Sequence, residues 1–132
     1  MNYLGIDYGT KRIGLALASD ETSPVPFATV PLSEVVKIIT DEQIDVVVVG
    51  RPRAMGDTDR VTAIEKETQQ FINNLKSQIS IPVVQEDERL SSKGADALGK
   101  EFGQSGDRDA VAAMLILESY LGRQKKGESR NV

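Results

Sequence analysis

Three acidic residues are the candidates for chemistry in this chain: Asp7, Glu88 and Asp109. Asp7 follows Tyr3-Leu4-Gly5-Ile6, a run that reads as a buried strand. Aspartate is depleted in strands and rarely fully buried unless paired. An ionised carboxylate there needs a metal or a cationic partner to offset its desolvation. Glu88 follows a later strand by a few residues, and Asp109 falls in the first turn of the last helix. The three converge if the first strand is central, the later strand ends beside it and the last helix packs over its end. Three carboxylates around one point suit two divalent cations about 3.5–4 Å apart, which activate a water and stabilise the attacking and leaving oxygens of an in-line phosphoryl displacement. Asp7 would bridge both ions, with Glu88 and Asp109 each holding one and Asp87 and Asp107 in reserve. Each acid also has a plainer reading. Asp7 could form a turn, Glu88 could belong to a solvated acidic run, and Asp109 could serve the helix dipole. Only the set of three on one topology favours metal.

Composition narrows the chemistry further. The chain has 132 residues, enough for one domain with a real core and too few for two. It has no Cys and no His. Disulfides, thiolate zinc sites and the commonest general base are therefore excluded, and carboxylates and water remain to bind a hard cation, Mg²⁺ or Mn²⁺. The formal charge of −4 argues mildly against nucleic-acid partners, but net charge averages over faces and a metal site offsets local acidity. No apolar run reaches the roughly 18 residues of a spanning helix, and the chain opens directly in a strand without a signal-peptide pattern. The expectation is a cytoplasmic protein with no membrane partner.

The elements that must position the acids are legible from periodicity. Tyr3 to Tyr8 and Ile13 to Ala18 read as strands joined in a hairpin by Gly9-Thr10-Lys11-Arg12. Pro26 to Pro31 reads as an edge strand. Ser33 is a candidate cap for a short helix carrying Val35, Val36, Ile38 and Ile39. Ile44 to Val49, ending at Gly50, reads as a central strand covered on both faces. A polar loop from Arg51 to Arg60 precedes a helix with Ile64, Thr68, Phe71, Ile72, Leu75 and Ile79 at helical spacing. Ile81 to Gln85 reads as a fifth strand with the acidic exit Glu86-Asp87-Glu88-Arg89. Ser91 or Ser92 could cap a helix through Leu98. The last helix starts at Asp107 or Arg108 and ends at Gly122, which makes 1–122 one domain and 123–132 a frayed polar tail. The expected fold is α/β, a mixed five-stranded sheet whose first three strands are antiparallel, with helices on both faces. This is the element order of the ribonuclease H fold, an analogy that does not by itself fix function.

Cations cluster at the same turns as the acids. Lys11 and Arg12 lie in the first hairpin turn, and Arg51, Arg53 and Arg60 follow the central strand. Arg89 and Lys93 follow Glu88, and Arg108 precedes Asp109. Contacts from such residues to phosphates would position a strand without reading its sequence. Each alone is equally a solvated surface charge, and Arg89 is also a candidate partner for Asp87 or Glu88. Aromatic residues are few, Tyr8 being nearest to Asp7, which favours structured substrates read by shape over single strands read by stacking.

Gly5-Ile6-Asp7-Tyr8-Gly9-Thr10-Lys11-Arg12-Ile13-Gly14 resembles the opening motif of the YqgF (RuvX) family of RuvC-like nucleases. Asp87-Glu88-Arg89-Leu90-Ser91-Ser92 resembles its second motif, and Asp109-Ala110-Val111-Ala112-Ala113-Met114-Leu115-Ile116-Leu117 its third. Val48-Val49-Gly50-Arg51-Pro52 resembles a fourth landmark, with Arg51 where Leu is commoner. Arg51 is either an added phosphate contact or an exposed loop cation. The resemblance runs through about Leu121. It implies a ribonuclease H-like fold, Asp7, Glu88 and Asp109 as the metal-binding carboxylates, and a 5′-phosphate product. It also implies a role in maturing the 5′ end of pre-16S ribosomal RNA, some members looking instead like Holliday-junction resolvases acting on branched DNA. A resolvase should be a homodimer, because two symmetric cuts call for two sites, whereas a processing ribonuclease could be a monomer.

Two rivals remain. The opening Asp-Tyr-Gly-Thr also resembles the phosphate motif of actin-like and sugar-kinase ATPases, but those clamp ATP between two such domains. A non-catalytic RNA-binding ribosome-assembly module is the other. The intact acids weigh against it, since carboxylates near a phosphate backbone repel unless metal sits between.

Overall fold

The computed structural model describes residues 1–9, 11–20, 22–51, 58–87 and 108–130. Its elements are β1 (Asn2–Asp7), β2 (Ile13–Ser19), β3 (Val25–Val30), a 3₁₀ turn (Leu32–Glu34), α1 (Val35–Asp41), β4 (Val46–Arg51), α2 (Thr58–Gln78), β5 (Val83–Asp87) and α3 (Arg108–Arg130). The five strands form one sheet in the order β3-β2-β1-β4-β5. The first three are antiparallel, and β1, β4 and β5 run parallel. The central position of β1 follows from its composition, because a strand flanked on both sides must bury both faces.

Alternation along the strands splits the core into two layers. Leu4, Ile6, Ile13, Leu15, Val47 and Val49 face the layer that contains Phe71, Ile72 and Leu75 of α2 and Val35 and Ile39 of α1. The intervening Ala16, Ala18, Val46 and Val48 face Ala113, Met114, Ile116 and Leu117 of α3. That second layer is built on small residues. A Cβ on Gly5 would lie 2.6 Å from the Ala113 carbonyl oxygen and 2.6 Å from Leu117 Cγ. The helix therefore sits on the sheet at a distance that only glycine permits.

Several element boundaries differ from the sequence reading. Ser33 does not cap α1. It lies in the 3₁₀ turn that leads into the helix, and neither that turn nor α1 has a side-chain cap. Arg51 closes β4 rather than opening a loop, and α2 begins at Thr58. β5 spans Val83–Asp87, so two of the acids assigned to its exit belong to the strand. They are held there by the parallel ladder, in which Gly50 pairs with Glu86 and Arg51 with Asp87. The last helix does not stop at Gly122 but runs to Arg130. Glycine costs an exposed helix only about 1 kcal/mol, and Arg123, the next residue, contacts Glu86 of β5. The expected helix from Ser91 or Ser92 lies outside the described residues.

Candidate active site

The parallel strands β1, β4 and β5 end together. Asp7 is the last residue of β1, Arg51 of β4 and Asp87 of β5. Ile6 pairs with Val49, and Gly50 with Glu86. The carboxyl ends of parallel strands are the usual place for a ligand in an open α/β sheet.

Asp7 is half-buried and pairs with Gly14 across the β1–β2 ladder. The pleat puts Asp7 on the same face as Gly5, the face that carries α3. Gly14 completes the arrangement. A Cβ there would lie 2.1 Å from the Asp109 carbonyl oxygen and 2.7 Å from Asp109 Cβ. The first turn of α3 therefore rests directly on the residue paired with Asp7. Asp7 and Asp109 share one neighbour, one face and one end of the sheet, although 102 positions separate them (109 − 7). Asp109 is exposed and stands in the first helical turn, where the dipole favours an anion.

The other expected residues are placed unevenly. Lys11 and Arg12 are exposed in the turn that follows Asp7. Arg51 ends β4 and Arg108 begins α3, both at this end of the sheet. Glu88, Arg53, Arg89, Lys93 and Asp107 lie outside the described residues. Among the described residues no group of three acidic side chains is gathered as a metal cage. Asp7 and Asp109, which share Gly14 as a neighbour, offer carboxylate oxygens, the donors of a hard divalent cation rather than of a thiolate or imidazole metal.

Tyr8 turns to the opposite face. Its ring packs edge-on against Phe71, with centroids 5.1 Å apart. Burial, and secondarily the charge of Glu67, push its hydroxyl pKa above the ordinary value. Tyr8 thus anchors the exit of β1 in the core cluster rather than offering a ring for base stacking. Sequence reasoning missed two other residues. Gly14 stood inside the first motif without a role of its own, and only its approach to Asp109 supplies one. Glu86 was read as part of an acidic exit but is buried on the α3 face. Strand alternation signals it, since Glu86 lies two residues after Val84, which packs against the α3-side core.

Comparison with known proteins gives the family and the fold. The family model for RuvX, described as Holliday junction resolvase, matches residues 1–123. The chain belongs to the RuvX family. A Maridesulfovibrio salexigens protein named "Putative pre-16S rRNA nuclease" is 32% identical over 136 residues, covering 93% of this chain and 99% of its own. A Shewanella denitrificans protein of the same name is 36% identical, covering 92% and 94%. Among solved structures, Thermus thermophilus RuvC in complex with a Holliday junction substrate aligns with a TM-score of 0.65 at 14% identity, over 94% of this chain and 96% of that one. Fowlpox virus resolvase with Holliday junction DNA aligns at 0.60 and 14%, over 94% and 99%. At such identities these structures speak for the fold. The RuvX chain has the ribonuclease H-like architecture of RuvC-type resolvases.

Proposed function

We propose that this RuvX-family protein is a divalent-metal-dependent endonuclease that acts in the cytoplasm on the 5′ end of pre-16S ribosomal RNA. The observation that carries the reading is the seating of Asp109 on Gly14, the ladder partner of Asp7. It supplies a reason for two carboxylates to meet at one strand end. Relatives named for pre-16S rRNA cleavage at 32–36% identity over nearly the whole chain support the substrate.

Asp7, Glu88 and Asp109 would hold Mg²⁺ or Mn²⁺, in a pair, with Asp87 and Asp107 in reserve. When bound, such ions lower the pKa of water and stabilise charge on a phosphoryl group. The protein's own share is positioning. Asp7 is fixed by a strand with neighbours on both sides, and Asp109 by a helix pressed onto glycine. Lys11 and Arg12 neutralise substrate phosphates beside Asp7, and Arg51, Arg53, Arg89, Lys93 and Arg108 extend that contact along the backbone. Cleavage leaves a 5′-phosphate and a 3′-hydroxyl.

A second reading is a resolvase of branched DNA, favoured by the description of the family model and by the fold it shares with junction-bound RuvC. Cleavage of a labelled pre-16S 5′-leader RNA and of a four-way DNA junction, with Mn²⁺ or Mg²⁺, separates the two. Both are run with wild type and Asp7→Asn, alongside the solution mass. Metal-dependent RNA cleavage lost in the variant supports the first reading. Junction cleavage by a dimer, lost in the variant, supports the second. Binding that survives chelation, with neither substrate cut, overturns both in favour of a non-catalytic assembly module.

A further inference from the structure

Glu86 differs from the other acids at the strand ends. It is only 4% exposed, and α3 takes both of its carboxylate oxygens. The Ser119 hydroxyl donates to Oε2 at 2.7 Å. The Arg123 guanidinium donates to Oε1 and forms an ion pair with it. Arg123 itself is 65% exposed, so the buried carboxylate reaches the surface through its partner.

An ion pair of this kind is a poor source of net stability, because the cost of desolvating the acid roughly offsets the attraction. Its sure consequence is geometric. Glu86 is the residue before Asp87-Glu88, and α3 is the helix that begins with Arg108 and Asp109. The same helix is pressed onto β2 at Gly14, onto β1 at Gly5 and onto β5 at Glu86. It crosses the sheet as a bar fixed at three points. The third point is the one that ties down the end of β5.

We propose that Glu86, Ser119 and Arg123 form a clamp that positions the metal site. By locking the end of β5 to α3, the clamp fixes Asp87, the last residue of that strand, relative to the helix that begins with Arg108 and Asp109. The proposal rests on the metal-nuclease reading above and adds three positioning residues to it. One of them lies beyond Gly122, in the segment that composition marks as a tail.

The test is Mn²⁺ binding measured by calorimetry without substrate, with cleavage kinetics and unfolding temperature recorded on the same samples. The set is wild type, Arg123→Met, Arg123→Lys and Ser119→Ala. Supporting contacts behind metal ligands are typically worth about 10–100-fold in metal affinity. Arg123→Met is expected to weaken Mn²⁺ binding about tenfold and to raise the Mn²⁺ needed for half-maximal cleavage by the same factor. Arg123→Lys should recover part of that loss. Ser119→Ala should move binding the same way by less, and it carries the test if Arg123→Met fails to fold. A folded Ser119→Ala or Arg123→Met that melts earlier but binds Mn²⁺ as tightly as wild type overturns the clamp and leaves the nuclease reading intact. A wild type that binds no Mn²⁺ overturns both.

Discussion

On one face of the sheet Leu4, Ile6, Ile13 and Leu15 meet Phe71, Ile72 and Leu75. On the other, one residue over on the same strands, Gly5, Gly14, Ala16 and Ala18 meet α3. The first face is filled by side-chain volume, and its helices stand off at the distance those side chains set. The second face is almost bare on β1 and β2, and the helix backbone comes down onto it. Large aliphatic residues supply burial, roughly 1.5–3 kcal/mol for each Val, Leu or Ile removed from water. Small ones supply proximity, and proximity is what brings Asp109 beside Asp7. The contrast teaches that stability and site geometry are written in alternate residues of the same two strands. Substitutions on the two faces should therefore fail in different ways.

The sharpest break of the bare face is chemical rather than steric. Asp7→Asn keeps the shape and removes the charge, and should lower metal-dependent cleavage by about a thousandfold. Thermal melting should change little, since loss of fold would mean Asp7 is structural. Gly14→Ala comes next. The added methyl would meet backbone atoms of Asp109, which no rotamer can clear. The first turn of α3 must lift, and a misplacement of about 1 Å is enough to cost about a hundredfold in rate. Overpacking should also remove about 1–3 kcal/mol of stability, read by denaturant unfolding.

Leu15→Ala probes the filled face. Leu15 is fully buried, and truncation should cost about 2–5 kcal/mol. Cleavage per folded molecule should stay at the wild-type rate, and a specific loss of activity would join the two faces that the comparison separates. The smallest effect is expected far from the strand ends, at Asp20. Its carboxyl accepts hydrogen bonds from the N-terminal ammonium, at 2.7 Å, and from the Tyr3 hydroxyl, at 3.1 Å. These hold its pKa below the usual 3.8, the ammonium contributing most. A lowered folded pKa means the contribution is present above that ordinary value and fades as pH falls through the lowered one. Asp20→Asn should melt slightly below wild type at neutral pH and match it in strong acid, with cleavage unchanged. The pair is exposed, so the gap should shrink further in salt.

Much of this molecule was determined by local pattern. The continuous β-branched run Val46–Val49 could only be a covered strand, and Phe71, Ile72 and Leu75 could only be the inner stripe of a helix. Asp7 was conspicuous because an acid among buried apolar residues needs a reason. Such signals are local, since periods of two and 3.6 residues are imposed by the backbone before any tertiary contact forms. Other features were settled only by contacts between distant segments. Nothing adjacent to Gly14 says that a helix from the far end of the chain rests on it. Only the strand alternation from Val84 marks Glu86 as inward-facing, and two neighbouring acids disguise it as a solvated run. Gly122 read as a stop because the intrinsic cost of glycine is visible in sequence, whereas the partner of the next residue, Arg123, is Glu86, 37 positions away. Local propensities are worth tenths of a kcal/mol to about one, whereas leaving a buried charge without its partner costs several. Where the two disagree, the tertiary structure decides.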